Sequence, residues 1–308
     1  MIPYPTPHLE KLISLLDNDK LPPTDKPRVT HAIKVYHRWI KYIEKILATN
    51  YPEDKTLELM VKSLIGYKFY IDVSLIFNSP NDFLYRQKGQ LKIDNSIIEE
   101  FLPRLINSSL VPEIKQLDVE VGPINSFSAV YFESSLDIPA VGGGLKIRTK
   151  NQDFAISKRL YLKASHSPNF DQEVKTETNL AYVVAECKTN LDKTMFQEGC
   201  ATAHDIKSAI PGAKYFLLCE WLDMTPVSTA PTDIDQVILL RKAKRINSNI
   251  RKGFSTFHGR QSQRKFYINY LRENPFRVEM FERFICNIRS LMTNESLKED
   301  NVLELGYF

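Results

Sequence analysis

The chain has 308 residues, 43% of them hydrophobic and 25% charged, enough for one large domain or two modest ones with a core that needs no staples. No run reaches the roughly 18 apolar residues of a membrane span, and the start MIPYPTPHLEK lacks the charged-then-apolar pattern of a secretory signal, so a membrane partner is not expected. A net charge of +4 is too mild to imply a polyanion partner by itself, and the four cysteines (Cys187, Cys200, Cys219, Cys286) form no CxxC pair, which argues against zinc and for free thiols in a reducing cytoplasm.

The first third reads as helical. Leu9, Leu12, Ile13, Leu15 and Leu16 space a helix over His8 to Asn18, and Ile33, Tyr36, Ile40, Ile43 and Leu47 form one stripe over Arg28 to Thr49. A third, more apolar helix is predicted over Lys55 to Phe77, and a short one over Asp94 to Ile106, broken near Pro103. Residues 1–116 are therefore expected to form a helical arm or subdomain, and 117–308 a separate core.

The pattern then changes. Ser126 to Ser135 fits a strand or a short helix. Gly142-Gly143-Gly144 carries no following GKS or GKT, so it reads as a flexible turn and not as a phosphate loop. Leu145 to Thr149 alternates as a strand, Asn151-Gln152 fits a turn, and DFAISKRLYLKAS from Asp153 is a second strand. SHSPNFDQEVKTETN reads as a polar connection, and Leu180 to Lys188 as an apolar strand ending in charge. Thr189 with Asp192 resembles a capping box opening a helix with Phe196, Gly199, Cys200, Ala203 and Ile206 on one face, closed by Pro211-Gly212. KYFLLCEW (214–221) is the nearly continuous apolar run of a buried parallel strand, and Arg277 to Met292 a final amphipathic helix. Three strands in meander, a helix and a fourth strand reached by a right-handed crossover give a mixed α/β fold.

The chemistry-bearing residues sit at the end of the apolar strand. In Glu186-Cys187-Lys188 the side chains of Glu186 and Lys188 share one face and Cys187 takes the other. A site that hydrolyses phosphodiesters needs a hard cation, and magnesium prefers one or two carboxylates plus water and phosphate oxygens. A second carboxylate must then face Glu186. Antiparallel pairing of the two long strands sets the start of one against the end of the other, which selects Asp153. Asp171, in SPNFDQEV, is the alternative through a shorter hairpin. Out of context, Glu186 and Lys188 are equally what a surface ion pair looks like, and Asp153 a turn residue.

From Arg241 to Lys265 the chain is basic without one acidic residue. Arg241, Lys242, Lys244, Arg245, Arg251 and Lys252 are the candidate DNA-contacting residues, interleaved with Asn, Gln and aromatic side chains that could meet bases. A solvated helix surface is the competing reading. Gln197 and His204 fit a helix surface, Trp39 and Trp221 a core, and no GxSxG, HExxH or Walker pattern is present.

Asp153, Glu186-x-Lys188 and the strand–helix–strand that follows resemble the PD-(D/E)xK nuclease superfamily. Within it, ECKTNLDKTM followed by KYFLLCEWLDM is similar to type II restriction endonucleases of the Bpu10I and BbvCI kind. The resemblance covers about Leu145 to Arg251, and Gln152 stands where the superfamily often has proline. It implies a restriction-endonuclease-like core with a mixed central sheet flanked by helices, and sequence-specific, Mg2+-dependent cleavage of double-stranded DNA. It also implies a triad of Asp153, Glu186 and Lys188, with Asp153 and Glu186 as the metal ligands. Two cuts per site require two active sites, hence a homodimer or a heterodimer. A structure-selective repair nuclease of the same superfamily and a non-catalytic DNA-binding protein are the alternatives.

Overall fold

The computed structural model describes residues 4–293 and Leu303, so the end of the 117–308 region lies largely outside the described residues. Helices α1 (Pro7–Leu16), α2 (Lys26–Ala48) and α3 (Glu53–Phe69) form where the apolar spacing predicts them. α3 runs on without a break into a π-helical stretch, Tyr70–Phe77, followed by a short α4 (Phe83–Gln87). α5 (Ser96–Leu105) continues through Pro103 instead of breaking there.

Five strands make one mixed sheet in the order β1 (Glu120–Phe132), β2 (Leu145–Ala164), β3 (Val174–Leu191), β4 (Lys214–Leu222), β5 (Gln236–Leu239). The β1–β2 and β2–β3 pairs are antiparallel, and β3–β4 and β4–β5 are parallel. β2 corrects the sequence reading: the two strands expected on either side of Asn151-Gln152 are one. Asn151 and Gln152 pair across the ladder with Asn125 and Ile124, and the buried Gln152 amide donates to Ser126 Oγ at 2.9 Å. A polar pair that looks like a turn is thus held inside a strand. β1 occupies the place where strand and helix could not be told apart. The supposed polar connection 165–179 shortens, because residues 174–179 already pair with β2.

Gly142, Gly143 and Gly144 all take left-handed backbone angles, with φ of 55°, 67° and 65°. A Cβ on Gly142 would strike the Ala164 carbonyl, so this is a packed turn and not a flexible one.

Alternation along the strands assigns the two faces. Phe154, Ile156, Val183, Ala185, Cys187, Phe216 and Leu218 face a large core shared with α1, α2, α3, α5 and α10 (Val278–Thr293). The helices of the first third are therefore one layer over the sheet. The other face (Ala155, Val184, Tyr215, Leu217, Cys219) packs on α6 (Lys193–Ala209). The cap of α6 is Asp192, whose carboxylate accepts the Met195 N–H at 2.9 Å, while Thr189 remains in β3. Gly199 allows the helix to lie close on β4: a Cβ there would come within 2.9 Å of the Leu217 methyls. Beyond β5 the chain forms α7 (Ser248–Gly253), α8 (Phe257–Ser262) and α9 (Arg264–Glu273) before α10.

Candidate active site

The ladder pairs Phe154 with Ala185, so the next residues out, Asp153 and Glu186, lie opposite one another on the α6 face. Both line a small cleft of about 160 Å³ together with Lys150, Asn151, Gln152 and Thr202. Asp153 Oδ2 accepts the Cys187 backbone N–H at 2.9 Å, which ties the carboxylate to the partner strand. Glu186 is held from both sides. Its Oε1 pairs with Lys188 Nζ at 2.6 Å, and its Oε2 accepts the Tyr215 hydroxyl at 2.6 Å. The side chains of Asp153, Glu186 and Lys188 are 19%, 20% and 22% exposed, fixed by the fold yet open to a ligand.

Burial works against the Lys188 ammonium, but the Glu186 and Asp153 carboxylates outweigh it and lift its pKa above the ordinary value. Lys188 is therefore a cation at neutral pH. Burial, reinforced by the Glu186 charge and hydrogen bond, raises Tyr215 far above its ordinary value, so its hydroxyl stays protonated and donates to Glu186.

Three further polar residues reach the site from the helical layer. Lys92, in a turn with a left-handed φ of 52°, puts Nζ 3.6 Å from Asp153 Oδ1 and 3.8 Å from Glu99 Oε1. Asn95 donates to Glu99 Oε1 at 3.1 Å and to the Cys187 carbonyl at 2.8 Å. Glu99 is pushed up to about 7 by burial and then by the Asp153 charge. No local pattern in α5 announces these residues, since their role depends on packing against β2 and β3. Tyr215 was more accessible to reasoning: a hydroxyl inside a buried apolar strand needs a partner.

Asp171 is not brought to this site. It sits in the loop joining β2 to β3, at the far end of the hairpin from Glu186, where its backbone carbonyl accepts from Ser165 and its carboxylate from Ser167.

The basic segment divides. Arg241 corrects the expectation of a DNA contact, because it is buried at 5% exposure. Its guanidinium pairs with Glu220 at 3.1 Å and Asp72 at 3.8 Å and lies 4.1 Å from the Phe276 ring centroid. Arg260, in the same basic run, is fully buried and donates to the carbonyls of Phe77, Ser79, Asn81 and Phe254. Lys242, Lys244 and Lys252 are exposed, while Arg245 and Arg251 are half-buried against Asp223. Gln197 is exposed on α6, and His204 pairs with Asp233 at the surface.

Among the described residues, no three His, Cys, Asp or Glu side chains gather so as to hold a metal by themselves. Two oxygen donors beside a polar cleft fit a hard cation that takes its remaining ligands from water and phosphate, and do not fit a closed structural zinc site.

The family model of the Bpu10I restriction endonuclease matches residues 90–308, from the turn before α5 onward. A solved structure described as the native BbvCI A2B2 tetramer at low resolution aligns with a TM-score of 0.56 and 21% identity, covering 87% of this chain and 96% of that chain. At that identity the likeness concerns the fold. No curated protein sequence matches.

Proposed function

Because the chain belongs to the Bpu10I restriction endonuclease family, we propose that it is a type II restriction endonuclease, cutting double-stranded DNA at a defined sequence through a Mg2+-dependent site of the PD-(D/E)xK type. The observation that carries this reading is that Asp153 and Glu186 line one cleft between β2 and β3, with Lys188 paired to Glu186 at 2.6 Å. In this reading α5, β1, β2, β3, α6 and β4 form the nuclease core.

Asp153 and Glu186 would hold the cation. When bound, a divalent metal supplies an activated water and neutralises charge on the phosphoryl oxygens. The chain's own residues define the rest. Tyr215 and Lys188 fix the two oxygens of Glu186, and the Cys187 N–H fixes Asp153, so both carboxylates are oriented before a ligand arrives. Lys188, protonated, donates to a non-bridging oxygen as negative charge develops on it and does not serve as a base. The exposed Lys242, Lys244 and Lys252 are the remaining candidates in their segment for phosphate contact, with Arg245 and Arg251 at its inner edge.

Both strands must be cut, so a second active site is required, from another copy or from a different subunit as in the A2B2 assembly named for BbvCI. The unpaired cysteines suit a reducing cytoplasm.

The test is digestion of DNA of known sequence with and without Mg2+, followed by sequencing of the ends. Discrete ends that require the metal and vanish with E186A and K188A are expected. Undiminished cutting by either variant, or salt-sensitive DNA binding with no cleavage under any divalent metal, refutes the proposal.

A further inference from the structure

A second polar cleft opens on the other side of β3. Thr189 follows Lys188 along the strand, and alternation turns its side chain to the opposite face, where it lines a cavity of about 70 Å³. Lys68, Lys88, Arg245 and Arg251 line the same cavity, with Asp72 among them. With the ion-pair partners Arg241, Asp94, Glu220 and Asp223 included, five cations meet four carboxylates.

The excess positive charge falls on the more open side. Lys68, Arg241, Asp72 and Glu220 are all nearly fully buried and neutralise one another, and Lys88 pairs with Asp94 at 2.9 Å. Arg245 and Arg251, by contrast, share a single oxygen: Asp223 Oδ2 lies 2.8 Å from one and 3.5 Å from the other. That oxygen and the Ile246 carbonyl, which accepts from Arg251 Nε at 2.8 Å, cannot satisfy two guanidinium groups of five N–H donors each. Burial and the charge of Arg245 hold Arg251 below its ordinary pKa, as expected of two crowded cations. Tyr85 and Tyr267 also line the cavity.

We infer that this cavity is a binding site for a phosphate-type oxyanion, held by the forks of Arg245 and Arg251 with Lys88 and the two tyrosine hydroxyls as further donors. Bidentate guanidinium forks match the geometry of phosphate oxygens. Size narrows the ligand. At about 70 Å³ the cavity is less than half the volume of about 150 Å³ in which benzene is known to bind, which suits a single tetrahedral group better than a nucleobase. The phosphate could come from a DNA backbone crossing the end of β3 or be free in solution. The oxyanion site stands whether or not the chain cleaves DNA, and only its assignment to a backbone phosphate rests on the nuclease reading.

Trp221 lines the cavity and stacks on Tyr270 with centroids 5.2 Å apart, and it is one of two tryptophans in the chain. In the full chain carrying W39F, it is the sole indole reporter. Inorganic phosphate is titrated at constant ionic strength in EDTA, so neither metal nor cleavage is involved. A saturable fluorescence change is expected, weakened at least about tenfold by R251Q or R245Q and unaltered by K175Q at the exposed hairpin end. R251K, which keeps the charge and loses the fork, should bind more weakly than the parent and better than R251Q. It also serves where R251Q fails to fold. Labelled duplex DNA is then titrated by anisotropy in EDTA. Affinity lost in step with phosphate binding assigns the site to a backbone phosphate, and unchanged duplex affinity assigns it to a free one. No saturable phosphate response, or a response that R251Q and R251K leave intact, overturns the site.

Discussion

Replacing Glu99 with glutamine isolates the electrostatic cost of a buried carboxylate beside the candidate metal ligand. The side chain is 7% exposed, and burial with the neighbouring Asp153 charge moves its pKa from 4.5 to about 7. The unfolded chain keeps the ordinary value, so between those two points the folded state binds the extra proton. Stability attached to Glu99 is thus fully present below about pH 4.5 and is lost as the pH rises through 7. Each pKa unit is about 1.4 kcal/mol, which sets the loss on the order of 3 kcal/mol at pH 8. Glutamine keeps an oxygen to accept from Asn95, found at 3.1 Å from Glu99 Oε1, so the substitution mainly removes the charge. Urea denaturation of E99Q and the parent from pH 4.5 to 8 is the assay, read as the difference between the two. The variant should gain on the parent through this window and level off above it. A divalent cation at Asp153 would reverse the sign of the neighbouring charge, so saturating Mg2+ should shrink the gain to the part that burial causes. A difference independent of pH would show that burial and the Asp153 charge do not raise the Glu99 carboxyl, and would refute the reasoning.

Y215F removes the 2.6 Å hydrogen bond to Glu186 and is expected to lower single-turnover cleavage about tenfold, equivalent to about 1.4 kcal/mol, with duplex affinity in Ca2+ unchanged. R241A leaves Glu220 and Asp72 buried without their guanidinium and should cost about 3–5 kcal/mol in urea denaturation, while the salt slope of DNA binding by the folded fraction stays the same. G199A forces a methyl against Leu217 and should cost about 1–3 kcal/mol, read as a lowered Tm, without moving the metal dependence of cleavage.

What could be read from the sequence depended on how local the determining interaction was. The helices of the first third and the strand–helix–strand around Glu186 are written in apolar spacing, which each segment carries by itself. The opposition of Asp153 and Glu186 needed only one further step, the antiparallel pairing of two adjacent strands. The Asn151-Gln152 pair misled because turn propensity is local while the Ser126 hydroxyl that holds Gln152 in the ladder is not. Arg241 misled for a similar reason. Its segment contains no acid, and its partners Asp72 and Glu220 come from the π-helical stretch and β4. Lys92, Asn95 and Glu99 carry no signature at all until α5 is laid against β2 and β3.

β3 explains why so many of these residues bear on one strand. It is paired on both sides, antiparallel to β2 and parallel to β4, so its backbone is held along its length near the site. Cys187 projects into the helical core, while its N–H holds Asp153 and its carbonyl holds Asn95. A residue with no chemical role of its own thereby links the carboxylate on β2 to the helical layer that carries Glu99. Glu186 and Lys188 face α6, and Thr189, one step of about 3.3 Å further on, faces the cluster of Arg245 and Arg251. Thr189 thereby ties one wall of the cationic cavity to the strand that carries Glu186 and Lys188, while Arg245 and Arg251 reach it from the segment after β5.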